Sequence, residues 1–118
     1  MSGWYELSKS SNDQFKFVLK AGNGEVILTS ELYTGKSGAM NGIESVQTNS
    51  PIEARYAKEV AKNDKPYFNL KAANHQIIGT SQMYSSTAAR DNGIKSVMEN
   101  GKTTTIKDLT LEHHHHHH

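Results

Sequence analysis

The sequence predicts an α+β protein: two tandem β-β-β-α-β repeats with a mainly antiparallel sheet and helices on one side. Three observations predict it. The chain falls on itself without a gap when shifted by 51 positions. A period-two apolar pattern opens each copy, and a helical spacing closes it. The repeats are expected to span residues 3–55 and 56–110 and to pack as one structural domain, because a lone unit of this size buries too little apolar surface to stand alone. Residues 111–118, LEHHHHHH, are an expression tag and take no part in the fold.

The self-match is dense. Phe17-Val18-Leu19-Lys20-Ala21 meets Phe68-Asn69-Leu70-Lys71-Ala72, and Ile27-Leu28-Thr29-Ser30 meets Ile78-Gly79-Thr80-Ser81. Tyr33 meets Tyr84, Asn41-Gly42-Ile43-Glu44-Ser45-Val46 meets Asn92-Gly93-Ile94-Lys95-Ser96-Val97, and Asn49 meets Asn100. Two copies are too few for a solenoid, so the halves must bury their apolar faces against each other or share a sheet.

Taken in order, Trp4 to Ser8 reads as a short strand, and Ser10-Ser11-Asn12-Asp13 turns it back. Phe15, Phe17, Leu19 and Ala21 then alternate with Lys16, Val18 and Lys20, a strand with one apolar face. Gly22-Asn23-Gly24 is a turn, and Glu25 to Tyr33 is the returning strand. In the second copy the turn becomes Ala73-Asn74-His75, where Asn74 is expected to take the left-handed conformation. Ala39, Ile43, Val46 and Gln47 follow helical spacing, as do Arg90, Ile94, Val97 and Met98. Thr34 or Ser37 is expected to cap the first helix, and Ser85 or Ser86 the second. Gly42 and Gly93 fall mid-helix, where each costs about 1 kcal/mol relative to alanine; that cost, present twice, points to close packing on the sheet. Asn49-Ser50-Pro51 and Asn100-Gly101 stop the helices. Ile52 to Ala61 reads as one long or bent strand that closes the first copy and opens the second. Asn63-Asp64-Lys65-Pro66 turns into the Tyr67 strand, and Thr103 to Leu109 is the last strand.

The Phe-x-Leu-Lys-Ala strand, the Asn-Gly turn, the Thr-Ser-x-x-x-Tyr segment and the Asn-Gly-Ile-x-Ser-Val helix resemble the YegP-like family, a bacterial domain of unknown function. The resemblance covers nearly all of residues 3 to 110. It implies β3-αβ units, occurring as tandem repeats or as paired single-repeat chains. It carries over no activity, cofactor or catalytic residue.

Composition narrows the chemistry. Thirteen Lys plus Arg stand against twelve Asp plus Glu, so the basic excess of a nucleic-acid binder is missing. There is no cysteine, which excludes disulfides and thiolate metal sites. The N-terminus lacks a signal-peptide pattern and the longest apolar run is Val26-Ile27-Leu28, so a soluble cytoplasmic protein is expected, away from membranes. Six of the seven histidines lie in the tag, leaving His75 in a turn. Asp13, Glu25, Glu31 and Glu44 have no metal-ligand spacing. Gly35-Lys36-Ser37-Gly38 lacks the upstream glycine of a phosphate loop, since Ser30 stands there. No catalytic, cofactor-binding or metal residue is assigned, no cofactor is expected, and the chain is read as no enzyme.

Two sets of residues remain. Ser30 and Ser81, Ser45 and Ser96, and Asn41 and Asn92 recur with no apolar role. They read as bonding partners for backbone groups, or alternatively as two equivalent small-ligand sites. Trp4, Tyr5, Phe17, Tyr33, Tyr56, Tyr67, Phe68 and Tyr84 read as core and rim of the sheet. Flanked by Lys16, Lys20, Lys65 and Lys71, they alternatively form a stacking platform for single-stranded nucleic acid, although Lys20 and Lys71 fall on the face opposite Phe17 and Phe68. The leading expectation is a monomeric, pseudo-twofold accessory or interaction module for a protein or small ligand. Weak single-stranded nucleic-acid binding by an exposed sheet face is the alternative.

Overall fold

The computed structural model describes residues 3–10 and 12–110; Ser11 of the first predicted turn and the tag lie outside them. The elements run β1 (Trp4–Lys9), β2 (Phe15–Lys20), β3 (Val26–Ser30), α1 (Lys36–Asn49), a 3-10 turn (Glu53–Arg55), β4 (Tyr56–Val60), β5 (Pro66–Lys71), β6 (Ile77–Thr80), α2 (Thr87–Asn100) and β7 (Ile106–Asp108). All seven strands form one sheet in the order β4-β5-β6-β3-β2-β1-β7. Every pairing is antiparallel except β1 with β7, which is parallel. The fold is α+β with a mixed sheet and two helices.

The hairpins share one local device. Ala21 N–H donates to Glu25 O and Gly24 N–H to Ala21 O, with Gly24 at φ 87°. This is a three-residue loop ending in a left-handed residue. The same bond pair joins Ser10 to Gln14, Ala61 to Lys65 and Ala72 to Gln76, with Asp13, Asp64 and His75 at φ 65°, 64° and 71°. An asparagine precedes the left-handed residue in all four loops. The second-copy turn therefore differs from expectation: His75, not Asn74, is left-handed. Asn74 is committed elsewhere, its Oδ1 accepting from Gln76 N–H at 3.1 Å, as Asn23 accepts from Glu25 and Asn63 from Lys65.

Four boundaries also move. The strand expected from Glu25 to Tyr33 ends at Ser30, and Tyr33 rejoins the sheet through a bridge to Phe15. The N-cap of α1 is Gly35, with no side-chain bond, so neither Thr34 nor Ser37 caps it: Thr34 precedes the cap and Ser37 already lies in the first turn. Ser86 does cap α2, accepting from Ala89 N–H at 3.1 Å. Ile52 to Ala61 is not one strand. Ile52 N–H closes on Asn49 O and Arg55 N–H on Ile52 O, coiling the first half into the 3-10 turn before β4 begins. The last strand shortens to Ile106–Asp108, because Thr103 N–H turns back to Asn100 O.

Both helices pack on central strands, α1 on β2, β5 and β6, and α2 on β2, β3 and β5. Tyr5, Leu7, Phe17, Leu19, Leu28, Ile43, Val46, Phe68, Leu70 and Val97 form one buried core. The approach of each helix is set by its mid-helix glycine. A Cβ on Gly42 would lie 2.5 Å from Tyr33 Oη and 2.8 Å from Phe17, and one on Gly93 would lie 2.2 Å from Tyr84 Oη. Beneath them, Tyr5, Phe17 and Tyr33 form one aromatic row and Tyr56, Phe68 and Tyr84 another. Their centroids are 5.9 and 6.3 Å apart in the first and 5.6 and 6.3 Å in the second.

Left-handed φ in a residue with a Cβ costs about 1–2 kcal/mol, partly offset in a glycine variant by the entropy of its unfolded chain. His75→Gly is therefore expected to stabilise the protein by about 0.5–1 kcal/mol in urea unfolding. Asn74→Gly, which removes the bond to Gln76, is expected to destabilise it. Were Asn74 the left-handed residue, the two effects would be exchanged.

Candidate functional site

The repeated serines are engaged in local hydrogen bonds. Ser30 Oγ accepts from Phe17 N–H at 2.9 Å and donates to Glu31 O. Ser81 Oγ accepts from Phe68 N–H at 3.0 Å and donates to Gln82 O. Asn49 Nδ2 donates to Ser45 O, and Asn100 Nδ2 to Ser96 O, both at 2.8 Å. These pairs tie strand to loop and close the last helical turn. Asn41 and Asn92 are exposed, and nothing in the structure explains their recurrence.

Chemistry-bearing residues elsewhere are dispersed. His75 is exposed at a hairpin tip. Lys36, of the segment resembling a phosphate loop, is bound to Asp108 at 2.5 Å. No group of three or more His, Asp or Glu is placed to hold a metal ion among the described residues. Among the same residues, no helix is long and apolar enough to cross a membrane.

The sheet face away from the helices carries the lysines. Strand register sets Ala57, Asn69, Thr80, Thr29, Val18, Glu6 and Lys107 level across all seven strands. Alternation places Trp4, Lys16, Lys20, Tyr67 and Lys71 on that same face, whereas Phe17 and Phe68 are buried beneath the helices. Lys65 lies in a hairpin turn instead. Two of these groups are already engaged. Lys20 pairs with Glu6 at 3.2 Å, and Lys107 covers the Trp4 ring at 4.4 Å. The Trp4 indole N–H bond and the Lys20 ammonium hold the Glu6 carboxyl below its usual range.

The two outer flanks, one beside β1 and α1 and the other beside β4 and α2, are more informative. Tyr5 Oη donates to Gly101 O, and Tyr56 Oη donates to Ser50 O, both at 2.6 Å. Burial raises both phenol pKa values. Each tyrosine thus takes up a carbonyl at a helix C-terminus. Beyond Tyr5 the flank is closed. Tyr5 N–H donates to Thr105 O at 2.9 Å, Gln47 Nε2 donates to Thr103 O at 2.9 Å, and β7 lies along β1 with Asp108 reaching Lys36. Beyond Tyr56 the flank is open. There Glu53, Tyr56, Lys58, Asp91, Ile94, Lys95 and Met98 line a groove of about 520 Å3 between β4 and α2.

Shifted by 51 residues, the two flanks differ where one is covered and the other is not. Leu7, Met40, Glu44 and Gln47 of the closed flank become Lys58, Asp91, Lys95 and Met98 of the open one, while Tyr and Ile43/Ile94 are kept. Lys58 pairs with Asp91 at 3.5 Å, and Asp91 also accepts from Arg90. Desolvation raises the Asp91 carboxyl, but the Arg90 bond and the Lys58 charge outweigh it and hold it below the usual range. The sequence reading missed this groove. Its signal was present in the residues at which the copies disagree, rather than in those they share.

The chain matches the domain of unknown function DUF1508 twice, over residues 10–56 and 61–108. It is 68% identical over 110 residues to a UPF0339 protein of Acinetobacter baylyi, covering 93% of this chain and 99% of that one. It is 66% identical over 110 residues to YegP of Escherichia coli, covering 93% of this chain and all of that one. A solution NMR structure of yegP from E. coli, a protein of unknown function, is 65% identical. It matches with a TM-score of 0.88 over 92% of this chain and 94% of that chain.

Asp108 anchors the closed flank, and this gives a pH expectation. Desolvation raises its carboxyl, yet Lys36 and the bonds from Thr110 prevail and hold it below the usual range. Its contribution is therefore complete above the unfolded carboxylate value of about 4 and is lost as pH falls through the lower folded value. In an acid titration followed by amide NMR, Ile106–Asp108 should loosen while β2 and β5 keep their native shifts. Loss of all strands together would contradict this.

Proposed function

The chain belongs to the DUF1508 family, which includes the YegP and UPF0339 proteins, and from that premise we propose that it is a non-enzymatic interaction module whose binding surface is the groove between β4 and α2. The observation that carries this reading is the difference between its two flanks. One helix–strand groove is filled by the chain's own β7, and its counterpart stands open, with Tyr56, Ile94 and Met98 forming an apolar floor between charged walls. An apolar floor with a polar rim suits a protein segment better than a nucleotide or a sugar.

The proposed architecture beneath it is a duplicated unit, residues 3–55 and 56–110, packed as one monomeric domain about a pseudo-twofold axis. Two contacts between residues 51 apart support it. Thr29 is level with Thr80 where β3 pairs with β6. A Cβ on Gly101 would lie 2.5 Å from Ser50 Cβ, so this pair touches where the helices end. Only one of those two positions has room for a side chain. The soluble, cysteine-free composition fits a cytoplasmic setting.

A second reading, single-stranded nucleic-acid binding, is favoured by Trp4, Tyr67, Lys16, Lys20 and Lys71 sharing the open sheet face. The engaged states of Lys20 and Trp4 weaken it.

Selection of peptides from a displayed random library on the intact protein separates the readings. Enriched peptides are expected to shift the amides of Tyr56–Val60 and Asp91–Met98 and to lose binding in Met98→Glu. A library that enriches nothing, with oligonucleotides shifting Lys16–Lys20 and Lys71 instead, would overturn the module reading in favour of the second.

A further inference from the structure

We infer that the open edge of β4 accepts an extended peptide laid parallel to it, apolar at the residue level with Tyr56 and acidic two residues later, level with Lys58. This rests on the groove reading above and adds the occupant's direction, register and chemistry.

The closed flank supplies the precedent. There β7 runs parallel to β1, with Ile106 level with Tyr5, Lys107 with Glu6 and Asp108 with Leu7. Ile106 packs against the core, and Asp108 meets Lys36 from α1. Tyr5, Glu6 and Leu7 fall on Tyr56, Ala57 and Lys58 when shifted by 51 residues. The position taken by Ile106 corresponds to the apolar floor of the open groove, lined by Tyr56, Ile94 and Met98. The position taken by Asp108 is level with Lys58, which stands where the closed flank has Leu7, while Lys36 itself falls on Thr87; the Lys58 side chain is 53% exposed and its partner, Asp91, also bonds Arg90. An incoming carboxylate there gains a lysine that keeps a second acid only loosely. The middle position meets Ala57, where the closed flank has Glu6 beside Lys107, so the open groove selects nothing at that residue.

The backbone is ready for the same ladder. Ala61 N–H bonds Lys65 O across the hairpin, so alternation turns the amides of Ala57 and Glu59 toward β5 and those of Lys58 and Val60 outward. Tyr56 N–H is the exception: it donates to Glu53 O, whereas Tyr5 N–H donates to Thr105 O, just before β7. A strand entering past the 3-10 turn therefore has Lys58 and Val60 to bond. Val60, 63% exposed, extends the apolar edge. Main-chain pairing with alternate side chains in pockets is the general mode of strand addition. The opposing expectation is that Lys58 and Glu59 are charges that keep an exposed edge from pairing at all.

The chain carries its own probe. A synthetic peptide of residues 102–110, titrated to millimolar concentration into isotope-labelled full-length protein, is expected to give saturable shifts at Ala57–Val60 and Asp91–Met98. A spin label on the peptide N-terminus should broaden Tyr56 more than Val60. Asp108→Lys in the peptide should weaken binding at least about fivefold, and Lys107→Glu should change it less than about twofold. The inference is overturned if no saturable shift develops, if shifts stay on Trp4–Lys9 and α1 through displacement of β7, or if the label broadens Val60 first. Library-selected peptides that occupy the groove in the reverse direction would sink this inference and leave the interaction module standing.

Discussion

The distance between helix and sheet is the constraint on which the rest depends, and two glycines set it. Gly42 and Gly93 leave no room for a methyl group over Tyr33, Phe17 and Tyr84. Each glycine costs about 1 kcal/mol of helix propensity. The return is an aromatic row under each helix, with pair energies of about 0.5–1.5 kcal/mol beyond area burial. At that spacing the helix ends come within reach of Tyr5 and Tyr56, whose hydroxyls take up carbonyls of Gly101 and Ser50. A buried carbonyl left without such a donor costs about 1–3 kcal/mol. The same closeness brings Ser50 against Gly101 and makes their side-chain sizes interdependent. Ser50 Oγ, buried without a bonding partner in the structure, shows how little slack that contact has.

From this spacing follow the two flanks. A helix held low over the central strands leaves a flank beside it, next to β1 for α1 and next to β4 for α2. Chain connectivity then treats the two grooves differently. After α1 the chain has only Ser50 to Arg55 before β4 begins, and it coils into a 3-10 turn there. After α2 no further unit follows within the described residues, and the chain lies down along β1 as β7. One groove is filled and the other open because α1 is followed by β4 to α2, whereas α2 is followed by β7.

Much of the fold was legible in the sequence because it depends on periodicity and on local chemistry. The period-two run from Phe15, the strand expected at Tyr67, the helical spacing around Ile43 and Ile94, and the significance of Gly42 and Gly93 all appear in the structure. The boundaries that moved did so for local reasons. His75 is left-handed because the preceding asparagine in each hairpin is occupied as a bond acceptor, a rule visible only when all four loops are compared. Ile52 to Ala61 has strand composition, but its first half is drawn into a turn by backbone bonds from Asn49 and Ile52. The groove was illegible for a different reason. Which flank is covered depends on the parallel pairing of β7 with β1, a contact spanning about a hundred residues that no local pattern encodes. Lys58 in place of Leu7, and Asp91 in place of Met40, mark the uncovered side.

The central claim is that β7 is a strand added into a groove whose counterpart beside β4 is open. Removing residues 103–110 tests it most directly. The account predicts a shortened chain that stays folded, with amide changes confined to Trp4–Lys9 and the α1 residues facing them, and with the native shifts of Trp4–Lys9 restored when the missing segment is supplied as a separate peptide. A shortened chain that unfolds as a whole, or that stays folded and ignores the peptide, would contradict it.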